Sequence, residues 1–350
     1  MNSARIFWLD CHARSKKTAR PDMMHRFAAF VLFVLSTTHV LAAPQEECVG
    51  RYRLTLPSEA EVAMTTAKAF TDGQVDPIRF ADGMSAPLSS FAYNGVFHIS
   101  RGLSQSVFDA KLKQAKDAAA ASASSSDADE RYTLVAAKDA NTLAWKSAKN
   151  SGFYAYRNGT AVSFRTDPVP EERMSDVLAN LSARADGEVP TAPGVCLPGL
   201  FVSGNRPDEF RNIGVTFRLK AHPDVLIFFH DLKVQKGQPQ LTSRQKNEFV
   251  WTSEFGVGKA VKLHGVFPWR TIKLDGREGV GSFGTITRKN DTTDYGYLVT
   301  VQGDLDAPTD TPDLLLYVER NASASQGKTP VTADEIEKIG EEIAASIKRR

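Results

Sequence analysis

A G-x-G-x-x-G pattern that could bind a dinucleotide phosphate occurs at residues 279–284, which read GVGSFG. Such a site requires the pattern to open a helix, because the N–H groups of the first helical turn face the pyrophosphate. Thr285, Ile286 and Thr287 follow instead, and this composition is typical of a strand. The stretch also lacks the G-x-S-x-G spacing of a serine hydrolase. We therefore predict no nucleotide cofactor, no other cofactor site and no catalytic residue.

The histidines that could bind a metal ion stand singly along the chain. His98, His222, His230 and His264 occur in neither H-x-H nor H-E-x-x-H spacing, which would direct two ring nitrogens at one ion. His222 fits a polar turn residue, and His230 fits the end of a strand. We therefore predict no metal site.

The N-terminal region has the features of a secretory signal. Residues 27–35 are apolar, follow His25-Arg26, and lead to Val40-Leu41-Ala42, which resembles a small-residue cleavage site. The apolar run is too short to span a bilayer, which needs about 20 residues, so we expect no stable membrane insertion. We expect residues 1–42 to be removed; translation from Met23 or Met24 and a buried N-terminal helix are the alternatives.

Removal of this segment changes both the charge and the cysteine count. The formal charge of the full chain is +2, and the first 42 residues contain six basic and two acidic side chains, so the remainder has a charge of −2. This near-neutral charge gives no reason to expect nucleic-acid binding. Two cysteines remain, Cys48 and Cys196, and they lack C-x-x-C spacing. In an oxidising compartment they most simply form a disulfide, with two buried thiols as the alternative.

The elements that must position these residues form two series along the chain, and each series consists mainly of strands and ends in a helix. Alternating polarity at 51–56 predicts a strand, and Ser104 is a candidate cap for a helix through about residue 121. A Pro-Asp turn predicts a hairpin between 213–219 and 225–229. Thr332 and Glu335 form a capping-box pattern that opens a final helix, whose negative end would hold Lys348, Arg349 and Arg350. The other predicted elements are strands at 132–136, 160–165, 249–251, 270–274, 297–301 and 314–318, and a helix within 168–185.

A stretch rich in proline and glycine at residues 189–204, here named the seam, separates these two series of elements. Three prolines and three glycines predict that no single helix or strand runs through it. We therefore predict an α+β protein with an N-terminal domain at 43–188 and a C-terminal domain at 189–350. Each domain is expected to be a mainly antiparallel sheet with packed helices.

An aromatic and basic sequence, Phe267-Pro268-Trp269-Arg270, lies where a loop meets a predicted strand. Tryptophan and arginine are enriched among the residues that anchor protein interfaces, so these residues are candidates for partner binding. The more ordinary interpretation, which we favour at this stage, is that Phe267 and Trp269 fill the core. The acidic loops at 291–294 and 304–313 could face a basic partner, although such loops are more often simply solvated.

Five short segments stand out in chain order: CVGRYRLTLP at 48–57, GVCLPGLFV at 194–202, HPDV at 222–225, FVW at 249–251 followed by Gly256, and SIKR at 346–349. Taken in this order, they resemble the family of immunity proteins cognate to lipase effectors of bacterial type VI secretion. Two features depart from that pattern: the Ala-Ser-rich tract near residue 120, and the stretch at 273–279, which matches the glycine- and glutamate-rich stretch usual in that family only loosely.

This resemblance implies a two-domain periplasmic inhibitor that performs no chemistry of its own. Its partner would be a secreted lipase or phospholipase, gripped by both domains so that the mobile cap of the enzyme stays closed. A Cys48–Cys196 disulfide would fix the separation of the two domains before binding. The alternative hypotheses are a periplasmic enzyme with an unrecognised site and a ligand-binding or envelope module.

Overall fold

The computed structural model describes residues 43–72, 78–127, 129, 131–137, 139–166, 171–237, 240–254 and 260–350. The predicted signal segment at 1–42 lies outside the described residues. Within the described part of the chain, no helix is both long and apolar enough to cross a membrane.

The described residues form twenty strands, five α-helices and two shorter helical turns. The first ten strands are β1 (Gln45–Val49), β2 (Tyr52–Leu56), β3 (Ala60–Val62), β4 (Ser90–Tyr93), β5 (Val96–Arg101), β6 (Thr133–Val135), β7 (Thr142–Lys146), β8 (Ser151–Arg157), β9 (Thr160–Thr166) and β10 (Leu181–Ala183). The other ten are β11 (Gly194–Leu197), β12 (Leu200–Ser203), β13 (Arg211–Leu219), β14 (Val225–Leu232), β15 (Ala260–Leu263), β16 (Arg270–Leu274), β17 (Arg277–Thr287), β18 (Thr293–Val301), β19 (Asp313–Arg320) and β20 (Lys348–Arg349). The helices are α1 (Ala67–Asp72), α2 (Gln105–Ser122), α3 (Glu171–Ala179), α4 (Ser243–Phe249) and α5 (Ala333–Ser346), with a π-helix at Val250–Glu254 and a 3₁₀ turn at Ala322–Ala324.

One large antiparallel sheet contains most of the strands. Its order is β15-β17-β18-β19-β14-β13-β4-β5-β9-β8-β7-β6, with β16 also paired to β17 and β3 to β13. Two three-stranded sheets, β1-β2-β20 and β10-β12-β11, complete the fold. These antiparallel sheets with five helices confirm the predicted α+β class. Because β13 pairs with β14 on one side and with β4 on the other, the large sheet crosses the expected domain boundary, and the boundary itself stays a prediction.

Helices cover both faces of the C-terminal part of the large sheet. Alternation along β17 and β18 directs Phe283 and Tyr297 to the face that packs on α5, while Ser282 and Leu298 face α4. Gly340 of α5 lies directly against the ring of Tyr297, and a Cβ at this position would overlap that ring. The absence of a side chain at Gly340 therefore lets the helix approach the sheet closely.

Helix α2 covers one face of the N-terminal strands β5, β7, β8 and β9. Phe108 and Leu112 of α2 pack with Leu143 and Ala161 of the sheet. The opposite face presents Phe153, which belongs to the main core of the molecule. The sheet therefore has apolar contacts on both sides, as expected for strands whose buried residues do not alternate strictly.

Several predicted elements are confirmed. The hairpin forms from β13 and β14, and the strand at 51–56 is β2. Helix α2 begins after Ser104, whose hydroxyl accepts a hydrogen bond from the N–H of Val107. Helix α5 begins with the predicted capping box, in which Thr332 and Glu335 satisfy each other's backbone N–H groups.

The predicted helix within 168–185 is α3, which ends at Ala179 before β10 begins at Leu181.

Two predictions were wrong in detail. Phe249 ends α4 and Trp251 lies in a π-helix, so 249–251 is not a strand. Helix α4 begins at a second capping box, formed by Thr242 and Gln245. The last basic residues do not sit at the end of α5, because Ile347 is extended and β20 pairs with β2.

Candidate functional site

The glycine-rich pattern at 279–284 lies within β17, and the residues 285–287 that follow it continue the same strand, as predicted. The hydroxyl of Ser282 accepts a hydrogen bond from Nε1 of Trp251 at 2.7 Å and donates one to Oδ1 of Asn247 at 2.6 Å. Ser282 is completely buried, so its hydroxyl anchors α4 and the π-helix to the sheet. This geometry leaves no phosphate-binding turn and no accessible nucleophile at Ser282.

The histidines occupy separate structural positions. Nε2 of His230 lies 2.8 Å from Oδ1 of Asn212 on the neighbouring strand, and burial lowers the pKa of His230 to about 4. His264 lies 2.6 Å from the hydroxyl of Thr285. Across the described residues, no group of three or more histidine, cysteine or acidic side chains is arranged to hold a metal ion.

A disulfide between Cys48 and Cys196 joins β1 to β11 across 148 positions of sequence. The neighbouring backbone adds two hydrogen bonds, from Gly50 N–H to the Cys196 carbonyl at 2.9 Å and from Cys196 N–H to the Gly50 carbonyl at 2.8 Å. Gly50 has φ = +57°, and a Cβ there would overlap the carboxylate of Asp231. The N-terminal strand is therefore fixed to the seam both covalently and by backbone pairing.

Beside the disulfide lies a buried cluster of charged side chains, here named the charge cluster: Arg51, Glu209, Arg211, Asp231 and Asp310. Arg211 Nε is 2.8 Å from Asp231, and Arg211 Nη2 is 2.7 Å from Asp310. Arg51 pairs with Glu209 at 2.5 Å. Burial opposes the charge of Arg211, yet the three carboxylates together raise its pKa above the usual value. The charge cluster therefore joins the N-terminal strand, β13, β14 and the 304–313 loop.

Several carboxylates of the two acidic loops, 291–294 and 304–313, form ion pairs with basic side chains of the same chain. Asp294 is buried and pairs with Arg288, and Asp313 pairs with Lys246. Asp310 belongs to the charge cluster. These three carboxylates are therefore not free to face a basic partner, and they are not merely solvated either.

The loop at residues 264–269, here named the aromatic loop, joins two strands that both pair with β17. Its tip carries the most exposed large apolar side chains among the described residues: Val266 is 90% exposed and Phe267 is 84% exposed. The prediction that Phe267 fills the core was therefore wrong. The sequence indicated an aromatic loop-to-strand junction, but hydrophobicity alone predicted burial.

The other two candidate binding residues hold the base of this loop. The guanidinium of Arg244 on α4 stacks over the half-buried ring of Trp269, 3.9 Å from its centroid. Arg270 is exposed and pairs with Glu337 of α5 at 2.5 Å. Trp269 and Arg270 thus attach the loop to the helices on opposite faces of the sheet. The arrangement presents an apolar tip on a supported loop, which is a geometry suited to protein contact.

A cavity of about 830 Å³ lies between α2 and the N-terminal strands. Aromatic side chains form much of its wall, and alanines of α2 form the side opposite the sheet. The sequence analysis did not identify this cavity, because it is built by strands and a helix that are distant from one another in the chain.

The amino-acid sequence of this chain is similar to one family model. Residues 188–350 match the family model described as the Tle cognate immunity protein 4 C-terminal domain. No curated protein sequence matches the chain.

Two solved structures have a similar fold over most of their length. The immunity protein TplEi of the type VI secretion system from Pseudomonas aeruginosa, complexed with an "L" peptide, is 14% identical with a TM-score of 0.57; the alignment covers 89% of this chain and 99% of that one. A chain from the crystal structure of the Tle4–Tli4 complex is 16% identical with a TM-score of 0.56, covering 88% of this chain and 97% of that one. At these identities the likeness shows a common fold.

Proposed function

We propose that this chain, whose residues 188–350 match the model of the Tle cognate immunity protein 4 C-terminal domain, is an immunity protein that inhibits a lipase effector of type VI secretion. The match of that domain is the observation that carries the proposal. The fold likeness to TplEi and to a chain of the Tle4–Tli4 complex extends over most of the chain and supports it. The protein would bind its partner and perform no chemistry of its own.

The inhibitory mechanism that we propose is a clasp by two domains, 43–188 and 189–350. Both would contact the lipase and hold its cap over the active site, so the inhibitor must bind the closed enzyme several kcal/mol more tightly than the open one. The disulfide, the charge cluster and the shared sheet support this mechanism because they limit movement between the two parts. A clasp that is already in its binding geometry loses little conformational entropy when it binds.

We propose that Phe267, with Trp269 and Arg270 beneath it, contacts the lipase. When a partner covers an exposed phenyl ring, the free energy of binding becomes more favourable by roughly 25 cal/mol per Å² of apolar surface buried. The stacked Arg244 and the ion pair to Glu337 support the base of the loop, so less of that gain is lost to ordering.

We place the protein in the periplasm. The predicted signal segment at 1–42 and the Cys48–Cys196 disulfide support this location, because disulfides persist in oxidising compartments. A protein that protects its own cell from a periplasmic lipase must bind tightly, and a nanomolar dissociation constant corresponds to about −12 kcal/mol.

The experiment that tests this function is periplasmic expression of the cognate lipase effector in a bacterial host, with and without the full-length protein. We expect lysis with the effector alone and survival when both are present. A version lacking residues 1–42 should leave the cells unprotected, because it would not reach the effector. Equal lysis with and without the exported protein would contradict the proposal.

A further inference from the structure

Helix α5 concentrates negative charge on its solvent side. Residues 333–346 contain five acidic side chains and one basic side chain, a net charge of −4. The chain after residue 42 has a charge of −2, so the part outside α5 has a charge of +2. Ile336, Gly340 and Ile343 form the buried side of the helix. The excess negative charge is therefore a property of the outer surface of one helix.

Two of the five carboxylates stabilise the start of the helix. Glu335 accepts hydrogen bonds from the N–H and the hydroxyl of Thr332 in the capping box. Asp334 lies in the first turn, near the positive end of the helix dipole. Glu337 and Glu341 lie beyond the first turn, where the helix dipole gives a carboxylate no stabilisation.

The residues Asp334, Glu337 and Glu341, here named the acidic row, recur at intervals of three and four positions and so lie on one side of α5. This side faces β16, because Arg270 pairs with Glu337 at 2.5 Å and with Glu341 at 3.6 Å. Among the ion pairs of the described residues, no second basic side chain joins the acidic row. The acidic row therefore keeps an excess of two negative charges beside the base of the aromatic loop.

The acidic row and the tip of the aromatic loop are close enough for one partner to cover both. Phe267 precedes Arg270 by three residues, a span of at most about 11 Å. A stable protein interface buries about 800 Å² on each partner, which corresponds to a disc about 16 Å in radius. A partner centred on Phe267 therefore reaches the acidic row.

We propose, on the basis of the immunity function proposed above, that the contacting surface of the lipase is an apolar pocket for Phe267 bordered by basic side chains opposite the acidic row. Glu337 and Glu341 are like charges four positions apart, and a lysine or arginine of the partner relieves their repulsion as Arg270 does in part. Complementary charge at the border of an interface mainly raises the association rate and the specificity. The acidic row thus steers the lipase onto the aromatic loop.

The charge of the acidic row favours a protein over a lipid surface as the partner. An exposed valine and phenylalanine at a loop tip could also enter a membrane. Segments that bind membranes carry lysine and arginine beside their apolar residues, because these attract anionic phospholipids. Anionic phospholipids repel the uncompensated carboxylates next to this tip. The same surface is therefore suited to a basic protein.

The test measures how fast the purified mature protein associates with the cognate lipase effector held on a surface, in about 50 mM and about 300 mM sodium chloride. We expect the association rate constant to fall at least about fivefold at the higher salt, because ions screen the steering charges, while the dissociation rate changes less than about twofold. Binding at a rate independent of salt would overturn this proposal and leave the immunity function intact. Absence of any binding would contradict both.

The variant Glu341→Lys reverses one charge of the acidic row. We expect association at least about tenfold slower at low salt, and a smaller difference at high salt. Asp117→Lys on α2 is the matched control, because Asp117 is also exposed and also pairs with one basic side chain; it should change association less than about twofold. Faster dissociation of Glu341→Lys with unchanged association would overturn the proposal, since it would indicate a displaced loop rather than lost steering.

The remaining occupants of this surface are tested without lipase. The protein is sedimented with vesicles of phosphatidylglycerol and phosphatidylethanolamine, and we expect it to remain in the supernatant. Vesicle binding that Phe267→Ser abolishes would overturn the proposal in favour of a lipid surface. Sedimentation velocity of the protein alone should show a monomer, and a dimer that Phe267→Ser dissociates would overturn the proposal in favour of a second copy of the chain.

Discussion

Asp231 is a completely buried carboxylate that joins residues far apart in the sequence. It accepts a hydrogen bond from the N–H of Arg51 at 2.9 Å and pairs with Nε of Arg211 at 2.8 Å. Removing one partner from such a buried pair leaves an uncompensated charge and commonly costs about 3–5 kcal/mol. The fold therefore depends on each member of the charge cluster keeping its partner.

Gly50 offers a specific test of the packing around Asp231. Gly50→Ala introduces a Cβ into a left-handed conformation and into contact with the Asp231 carboxylate, so we expect a loss of about 3 kcal/mol in the free energy of unfolding. Gly276→Ala is the matched control, because Gly276 has φ = +75° and open space around it; we expect a loss of about 1 kcal/mol. Urea unfolding measures both, and equal losses would contradict the predicted overlap.

His230 gives the protein a predictable response to acid. Burial lowers the pKa of His230 to about 4, whereas an unfolded histidine has a pKa near 6.5. Below pH 6.5 the unfolded state binds a proton that the folded state does not, so the free energy of unfolding falls as the pH drops towards 4. At pH 5 this loss is about 2 kcal/mol.

The variant His230→Gln cannot take up this proton and keeps a polar side chain beside Asn212. We expect its free energy of unfolding to fall less than that of the wild type between pH 7 and pH 5, by about 2 kcal/mol. Urea titrations at the two pH values provide the comparison. Parallel losses in both proteins would show that His230 titrates normally in the folded state.

At the scale of elements, a substitution in the aromatic loop should affect lipase binding but not the stability of the fold. Phe267 is 84% exposed, so Phe267→Ser should change the free energy of unfolding by less than about 0.5 kcal/mol. If the ring is an interface anchor, its loss should weaken lipase binding at least about tenfold. The control Val107→Ser removes an exposed apolar residue from α2. The affinities are measured by binding each soluble variant to surface-bound lipase. Identical affinities for the two variants would show that Phe267 is not part of the interface.

Elements with strong local signals could be predicted from the sequence. The capping residues of α2 and α5 and the Pro-Asp turn of the β13–β14 hairpin determine those elements through neighbouring residues alone. The segment 249–251 was predicted wrongly because its apolar residues also suit a strand, and the hydrogen bond from Trp251 to Ser282 is made 31 positions away. Pairing of β20 with β2 is similarly non-local.

The candidate binding residues were only partly predictable. The sequence singled out Phe267, Trp269 and Arg270, but the contacts of Trp269 with Arg244 and of Arg270 with Glu337 join residues that are distant in the chain. The cavity under α2 had no local signal, because its walls come from helices and strands that are distant from one another in the chain. Such sites require the tertiary arrangement before they can be recognised.

At the scale of the whole molecule, one sheet extends through both halves of the chain, and the disulfide closes a long loop between them. The two cysteines are 148 positions apart. Closing a loop of this length reduces the entropy of the unfolded chain, and the chain-entropy model gives roughly 5 kcal/mol as an upper figure.

We therefore expect the double variant Cys48→Ser, Cys196→Ser to lose about 3–5 kcal/mol in the free energy of unfolding. The wild type under reducing conditions should show a similar loss. Guanidinium unfolding with and without a reductant makes the comparison. A reductant that leaves the wild type unchanged while both thiols become reactive would contradict a stabilising role.

The central claim is that this protein binds and inhibits a lipase, and titration of lipase activity tests it most directly. Increasing amounts of the purified mature chain are added to a fixed nanomolar amount of the cognate effector, and residual hydrolysis of a phospholipid is measured. We predict a linear fall to zero activity at one equivalent of the protein, which indicates tight one-to-one binding. Undiminished lipase activity at a large molar excess would contradict the account.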